Sequence, residues 1–255
     1  NNNTRLWLQT GENRLDIQGP QRAGSLTLSE SSTVAFTSSS SDGNDKLILS
    51  SADQKSVIDG QFEEVSAGGE VRINNHTAEV NAQQPNMTFT VGNNAHLIIN
   101  ETDAVRGTLV LKKGSMVTVN EPNGLNVTET NKNLLLLGNT AVVFNADQTL
   151  DLLSDTGTTN RITVANEAKL TFSNTSTNQF LSNERRSTYY GVLAGEGDYE
   201  LSGGQLDLGV ASGSNKANTF SGAFSVSGGS TLELNKAAAI SGSTLAISGG
   251  STVDV

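Results

Sequence analysis

An all-β chain wound as a right-handed parallel β-helix is what this sequence predicts, and three observations predict it. Apolar–polar alternation recurs in short blocks. Strand-like blocks end again and again on asparagine. No window holds the i, i+3, i+4, i+7 apolar pattern of a helix.

The alternating blocks are RLWLQ, RLDIQ, SLTLS, KLILS, EVRIN, MTFTV, TLVLK, MVTVN, RITVA and KLTFS. Each reads as a half-buried strand, and spacings of about 8 to 12 residues suit an all-β architecture. Asparagine closes AEVN at Asn81, LIIN at Asn100, VTVN at Asn120, VVFN at Asn145 and TVAN at Asn166. Steps of about 20 to 25 residues fall in the period range of stacked solenoid repeats. Asn tolerates left-handed backbone better than any residue but Gly, so the unit reads as a coil turning one corner repeatedly. Asn100, Asn120, Asn145 and Asn166 are therefore expected near one corner of successive coils. Hairpin dipeptides are rare, Asn123–Gly124 being the clearest, where a meander would need many. At about 4.8 Å per coil, roughly a dozen coils would give a rod on the order of 50 Å long.

Composition agrees. Of 255 residues only 35% are hydrophobic and 5% aromatic, which fits a narrow core with one strand face in water. With 26 Gly and 3 Pro, the turns fall to Gly and Asn. The formal net charge is −10. The basic stripe that a nucleic-acid or anionic-lipid binder needs is missing, so neither partner is expected. With no Cys, disulfides and thiolate metal sites are excluded. No apolar run is long enough to insert as a membrane helix. Both ends stop within strand-like texture, so a fragment of a longer rod is expected.

Two stretches break the rhythm within coils 1–190: residues 38–46, SSSSDGNDK, and residues 175–190, TSTNQFLSNERRSTYY. Residues 191–255 change texture to Gly/Ser-rich units, GVLAGEGDYELSGGQLDLG, TFSGAFSVSGGSTLELN and SGSTLAISGGSTVDV. Here a Gly195–Glu196–Gly197 step and strands around Leu201 and Leu206 precede Asn218–Thr219–Phe220–Ser221–Gly222. Gly228–Gly229–Ser230–Thr231–Leu232 comes next. This succession resembles the strand repeats of autotransporter passenger domains of Gram-negative bacteria, over about the last 65 residues; the first 190 match in texture only. The resemblance implies a β-helix exported to the bacterial cell surface by a C-terminal β-barrel translocator. Many such passengers are adhesins or self-aggregation factors, and some are stalks beneath a serine protease domain. Zero Cys suits a chain that threads an outer-membrane pore unfolded.

Few residue patterns point to chemistry. No G-x-S-x-G or G-D-S-G occurs, so no serine-nucleophile elbow is present. His76 and His96 lie about one coil apart without a third ligand, so no metal and no cofactor is expected. Carboxylate pairs for glycoside cleavage are Glu63–Glu64, Glu101–Asp103 and Asp151–Asp155; in a strand, Glu101 and Asp103 would share a face while Glu63 and Glu64 would not. The calcium repeat GGxGxDx fails at Gly203–Gly204–Gln205–Leu206–Asp207. The sequons at Asn75, Asn86, Asn100, Asn126 and Asn174 are read as turns.

The binding candidates are Arg185, Arg186, Tyr189 and Tyr190, cations and aromatics of the kind enriched at hot spots, on a stretch expected to leave the coil as a loop. The leading reading is a non-enzymatic adhesin or self-aggregation module, with a host-surface glycan, a matrix protein or its own copies as partner. The alternatives are a polysaccharide-degrading β-helix, lyase or tailspike-like hydrolase, and the stalk of a secreted protease.

Overall fold

In the computed structural model, alternation and period resolve into a stack of coils. Residues 4–8, 12–37, 45–64, 69–126, 134–151, 153–155, 159–176, 184–209, 216–240 and 244–255 are described. Among them every element is a strand, there is no helix, and the paired strands run parallel in a β-helix of about nine turns. That is fewer coils than the sequence period suggests, because excursions between strands lengthen several of them.

Three faces make up the wall. One sheet has ten strands, running from Arg5–Leu8 and Ser25–Leu28 through Thr77–Val80, His96–Ile99 and Met116–Val119 to Thr219–Phe220. A second has eleven, from Pro20–Ala23 to Thr252–Asp254. The third face is split: three strands (Arg14–Ile17, Thr33–Phe36, Gln61–Glu64) at one end and five, from Gln148–Leu150 to Leu245–Ile247, at the other. Between these two groups the third face is bridged only at Val105 and Leu125 among the described residues. Strands on either side of residue 190 pair in common sheets, as Arg161–Val164 does with Val192–Gly195.

Strand alternation builds the core directly. Inward positions stack like on like: Leu97 pairs with Val117 and Val117 with Val142, while Ile99, Val119 and Phe144 follow in the next row, all with no exposed surface. Each fully buried side chain of this size contributes about 1.5–3 kcal/mol. Aromatic stacks strengthen both ends, Phe36–Phe62–Phe89 with ring centroids 6.1 and 6.2 Å apart, and Tyr199–Phe220–Phe224 at 4.8 and 6.1 Å.

The outer surfaces differ. On the ten-strand sheet the outward residues Val57, Glu79, Ile98, Thr118, Val143 and Thr163 form one in-register row and are all partly exposed. On the eleven-strand sheet the outward row mixes buried residues, Ile48, Thr90, Ser154, Thr188 and Asp207, with partly or fully exposed ones, Arg22, Arg72, Val110, Leu135, Glu233 and Asp254. We call the ten-strand sheet the open face.

The C-terminal motif has a packing reason. A Cβ on Gly197 would lie 2.3 Å from the Ala165 carbonyl oxygen, and one on Gly222 would lie 2.2 Å from that of Gly197. These glycines let successive coils approach at one spot, and Phe220 fills the core beside them.

Of the two irregular stretches, residues 38–44 and 177–183 lie outside the described residues. The flanking parts are regular. Lys46–Leu49 is a strand, and Arg186–Tyr189 is a strand of the eleven-strand sheet, where the sequence reads as a loop. Arg-Ser-Thr-Tyr alternates, and its Ser187 and Tyr189 take inward positions opposite Leu206 and Leu208.

Candidate functional site: the two corners of the open face

Each strand of the open face is preceded and followed by a corner. The trailing corner holds the recurring asparagines. Asn100 Nδ2 donates to Asn81 Oδ1 at 2.8 Å, Asn120 Nδ2 to Asn100 Oδ1 at 2.7 Å, and Asn145 Nδ2 to Asn120 Oδ1 at 2.8 Å. Asn81 Nδ2 in turn donates to Asp59 Oδ1 at 2.8 Å. Asn166 is not part of this ladder. Phe144 pairs with Val164, so Ala165 takes the ladder position and Asn166 falls one residue beyond it. The reason for asparagine also differs from expectation: none of the four ladder residues has positive φ. Their amides, not their backbone tolerance, are what the corner uses.

Left-handed residues stack at the leading corner instead, two positions before four successive strands: Asn75 (φ 46°), Asn94 (φ 60°), Gly114 (φ 76°) and Asn139 (φ 50°). One position further in stand His76, Ala95, Ser115, Thr140, Asn160, Gly191 and Asn218. Most of these are buried polar groups, and each meets a different local need. His76 Nδ1 lies 2.7 Å from the Ser51 carbonyl, which only accepts, so Nδ1 carries the proton. Ser56 Oγ then donates to Nε2 at 2.7 Å while accepting from Leu26 N at 2.8 Å. Burial holds the His76 pKa below its ordinary value. The Ser56–His76 contact has the form of a nucleophile–base pair. Ser56, however, has no exposed surface and its oxygen is committed to a backbone amide.

Asn160 Oδ1 accepts from Thr140 N at 2.9 Å and its Nδ2 donates to Asp155 Oδ1 at 2.5 Å. Asp155 Oδ2 accepts from the amides of Tyr190 and Gly191, both at 3.0 Å. Lys236 Nζ donates to the Gly191 carbonyl at 2.6 Å and lies 5.9 Å from the Tyr189 ring centroid. Burial pushes Lys236 down to about 8. Asn218, the motif asparagine, accepts from Leu193 N at 2.9 Å and donates to the Ala239 carbonyl at 2.7 Å.

The residues expected to bind a partner are separated by this arrangement. Tyr189 is wholly buried and its hydroxyl donates to the Val192 carbonyl at 3.0 Å, so it presents nothing to a ligand. Arg186 is turned toward carboxylates, at 2.9 Å from Asp207, 3.1 Å from Glu233 and 3.8 Å from Glu184. Its charge is locally compensated, and a cationic patch does not form there. Arg185 is exposed, with Nε donating to the Asn174 carbonyl at 3.1 Å; Tyr190 is half-buried.

The carboxylate pairs fare similarly. Glu101 and Asp103 lie in a turn, not a strand; Asp103 has φ 56° and accepts from Asn126 Nδ2 at 2.9 Å. Asp151, without exposed surface, is surrounded by the amides of Thr175 and Ser176 and the Thr175 hydroxyl. Asp155 holds the opposite end of its strand, so the two carboxylates tie down different corners. Glu63 pairs with Arg14 and, with Arg106, lines a recess of about 410 Å³ where the split face breaks off.

A groove of about 490 Å³ that no local motif marks runs along the leading corner. Its floor is the outward row His96, Met116, Ala141 and Arg161 on four consecutive strands, with Ser115 behind and Asn94 and Asn139 at the rim. The only signal in the sequence was KKGSM, a turn with two lysines where the neighbouring coils have none.

No protein-family model, no curated protein and no solved structure matches this chain.

Proposed function

We propose that this chain is an adhesive segment of a bacterial cell-surface protein, an autotransporter-type passenger rod that attaches through its open face. The observation that carries the proposal is the row Val57, Glu79, Ile98, Thr118, Val143 and Thr163, in register and partly exposed at every one of six successive coils, where the outward row of the eleven-strand sheet is broken by buried residues. Repetition of small polar and branched side chains at about 4.8 Å intervals suits many weak contacts acting together. The C-terminal succession from Gly195 to Leu232 supports the passenger assignment and, with it, an extracellular location at the bacterial surface.

The test uses beads coated with the purified chain, scored for attachment to epithelial cells and for clumping. Ile98→Lys with Val143→Lys places charges two coils apart on the open face, far enough to spare the fold. Attachment or clumping should fall in the variant while the melting curve stays near that of the parent. Wild-type beads that behave like blank beads would sink the proposal. Turnover of a polysaccharide by the chain would replace it with an enzymatic reading.

A further inference from the structure

We infer that the eleven-strand sheet is a docking surface for a second copy of this chain, laid face to face with the two rods antiparallel. The inference goes beyond the adhesive reading, which rests on the open face.

The observation is the order of charge along that sheet. One in-register outward row opens with Arg22, Ile48 and Arg72, has Leu135 on the sixth of its eleven strands, and closes with Asp207, Glu233 and Asp254. The members between are uncharged. The row beside it adds Lys46 and Glu70 at the first end and Arg186 at the last. Among the described residues the outward positions therefore carry three cations and one carboxylate at one end, and three carboxylates and one cation at the other.

Internal pairing leaves both ends charged. Lys46 and Arg72 share Glu70, at 3.2 and 3.0 Å, while Asp207 and Glu233 share Arg186, at 2.9 and 3.1 Å. Arg22 and Asp254 are exposed and make no ion pair among the described residues. At the corners, Asp45 is buried on the Gly19 amide at 2.7 Å, and Glu184 with Arg185 adds one charge of each sign.

The row is complementary to its own reverse. A two-fold axis through Leu135, perpendicular to the rods, sets Arg22 against Asp254 and Arg72 across from Asp207 and Glu233, each contact made twice. Leu135 meets its own copy, with Val110 beside it, both partly exposed. Parallel rods would set each charged end against its like, so charge selects the antiparallel arrangement. The strip measures roughly 50 Å by 13 Å. Docking it buries no more than about 1,200 Å² over both copies, the small end of specific interfaces, so the dimer is weak and reversible.

Sedimentation of the whole chain, from micromolar to millimolar protein, should show a monomer–dimer equilibrium. Arg22→Glu and Asp254→Arg, both at exposed positions, should each raise the dimer dissociation constant about tenfold and leave the melting curve in place. Mixing the two variants should restore the dimer, because both ends of the mixed pair again join opposite charges. Leu135→Cys, in a chain with no other thiol, should be linked to its copy by a short bismaleimide, and Arg22→Cys should not. A chain that stays monomeric throughout, or variants that neither weaken the dimer nor rescue each other, would overturn the inference. So would a dimer that survives both charge variants and is lost in Ile98→Lys with Val143→Lys, which would put self-association on the open face. Dimers without attachment to cells would leave this inference standing without the adhesive reading, and attachment by a chain that never dimerises would do the converse.

Discussion

The two corners of the open face solve one problem in opposite ways. At the trailing corner a single residue type is repeated, and Asn81, Asn100, Asn120 and Asn145 pass one amide hydrogen bond from coil to coil near the solvent. At the leading corner His76, Thr140, Asn160 and Asn218 differ from coil to coil, sit inside the wall and reach backbone or side-chain groups that differ at each level. The difference teaches where stability and where legibility reside. Repetition is visible in a sequence but works in water, where a hydrogen bond is worth little net. The buried corner has no visible period, yet each of its groups is expensive to orphan.

The largest effect should therefore come from the leading corner. Asp155→Ala strips the acceptor from two backbone amides and from Asn160 Nδ2, and should cost about 3 kcal/mol or more in urea unfolding. A loss no larger than that of a trailing-corner variant would dissolve the contrast.

Next comes acid. The His76 pKa lies below 6.5 in the fold because burial disfavours its charged form. The unfolded chain then binds more protons, so the His76 contribution is complete above about pH 6.5 and is lost as pH falls below it. The urea midpoint should drop between pH 7.5 and pH 5 more in the parent than in His76→Gln. Equal slopes would mean His76 stays neutral without consequence. Lys236 gives the alkaline counterpart. Its pKa of about 8 means the charged form is disfavoured in the fold. Its contribution should rise as pH climbs from 8 toward 10.5, a rise that Lys236→Met should abolish. Above about pH 10 the buried Tyr189 and Tyr199 hydroxyls, whose pKa values burial raises, act in the opposite direction.

At the trailing corner, Asn120→Ala breaks two ladder bonds in exposed surroundings and should cost about 1 kcal/mol. A double-mutant cycle with Asn100→Ala would show whether the ladder is cooperative. The smallest effect is expected at Asn166→Ala, under about 0.5 kcal/mol, because Asn166 lies outside the ladder. Ala165→Asn, which lengthens the ladder by one rung, should match or slightly exceed the parent in stability. A larger cost at Asn166 than at Asn120 would mean that the ladder has been placed one residue wrongly.

These contrasts also explain what was readable. The coil stack was legible because alternation of period two and a repeat near 20 residues are imposed by stacking itself. The asparagine corner was legible in position but not in cause, since residue identity does not tell an amide ladder from a left-handed turn. Arg186–Tyr189 has the charge and aromatic density of a loop, yet its alternating Ser187 and Tyr189 mark it as wall. The groove was unreadable because His96, Met116, Ala141 and Arg161 lie about 20 residues apart and only coil register brings them into one row.

The ladder has a direction. Every rung donates toward the lower-numbered coil, and the series ends on Asp59, whose carboxylate can only accept. Each coil therefore offers its successor one acceptor at one height. A coil wound one residue out of step would turn its asparagine inward and its apolar row outward, and would miss that acceptor. Asn81 through Asn145 thus act as a proofreading mark for winding: a local check, made coil by coil, that the chain has been laid down in phase.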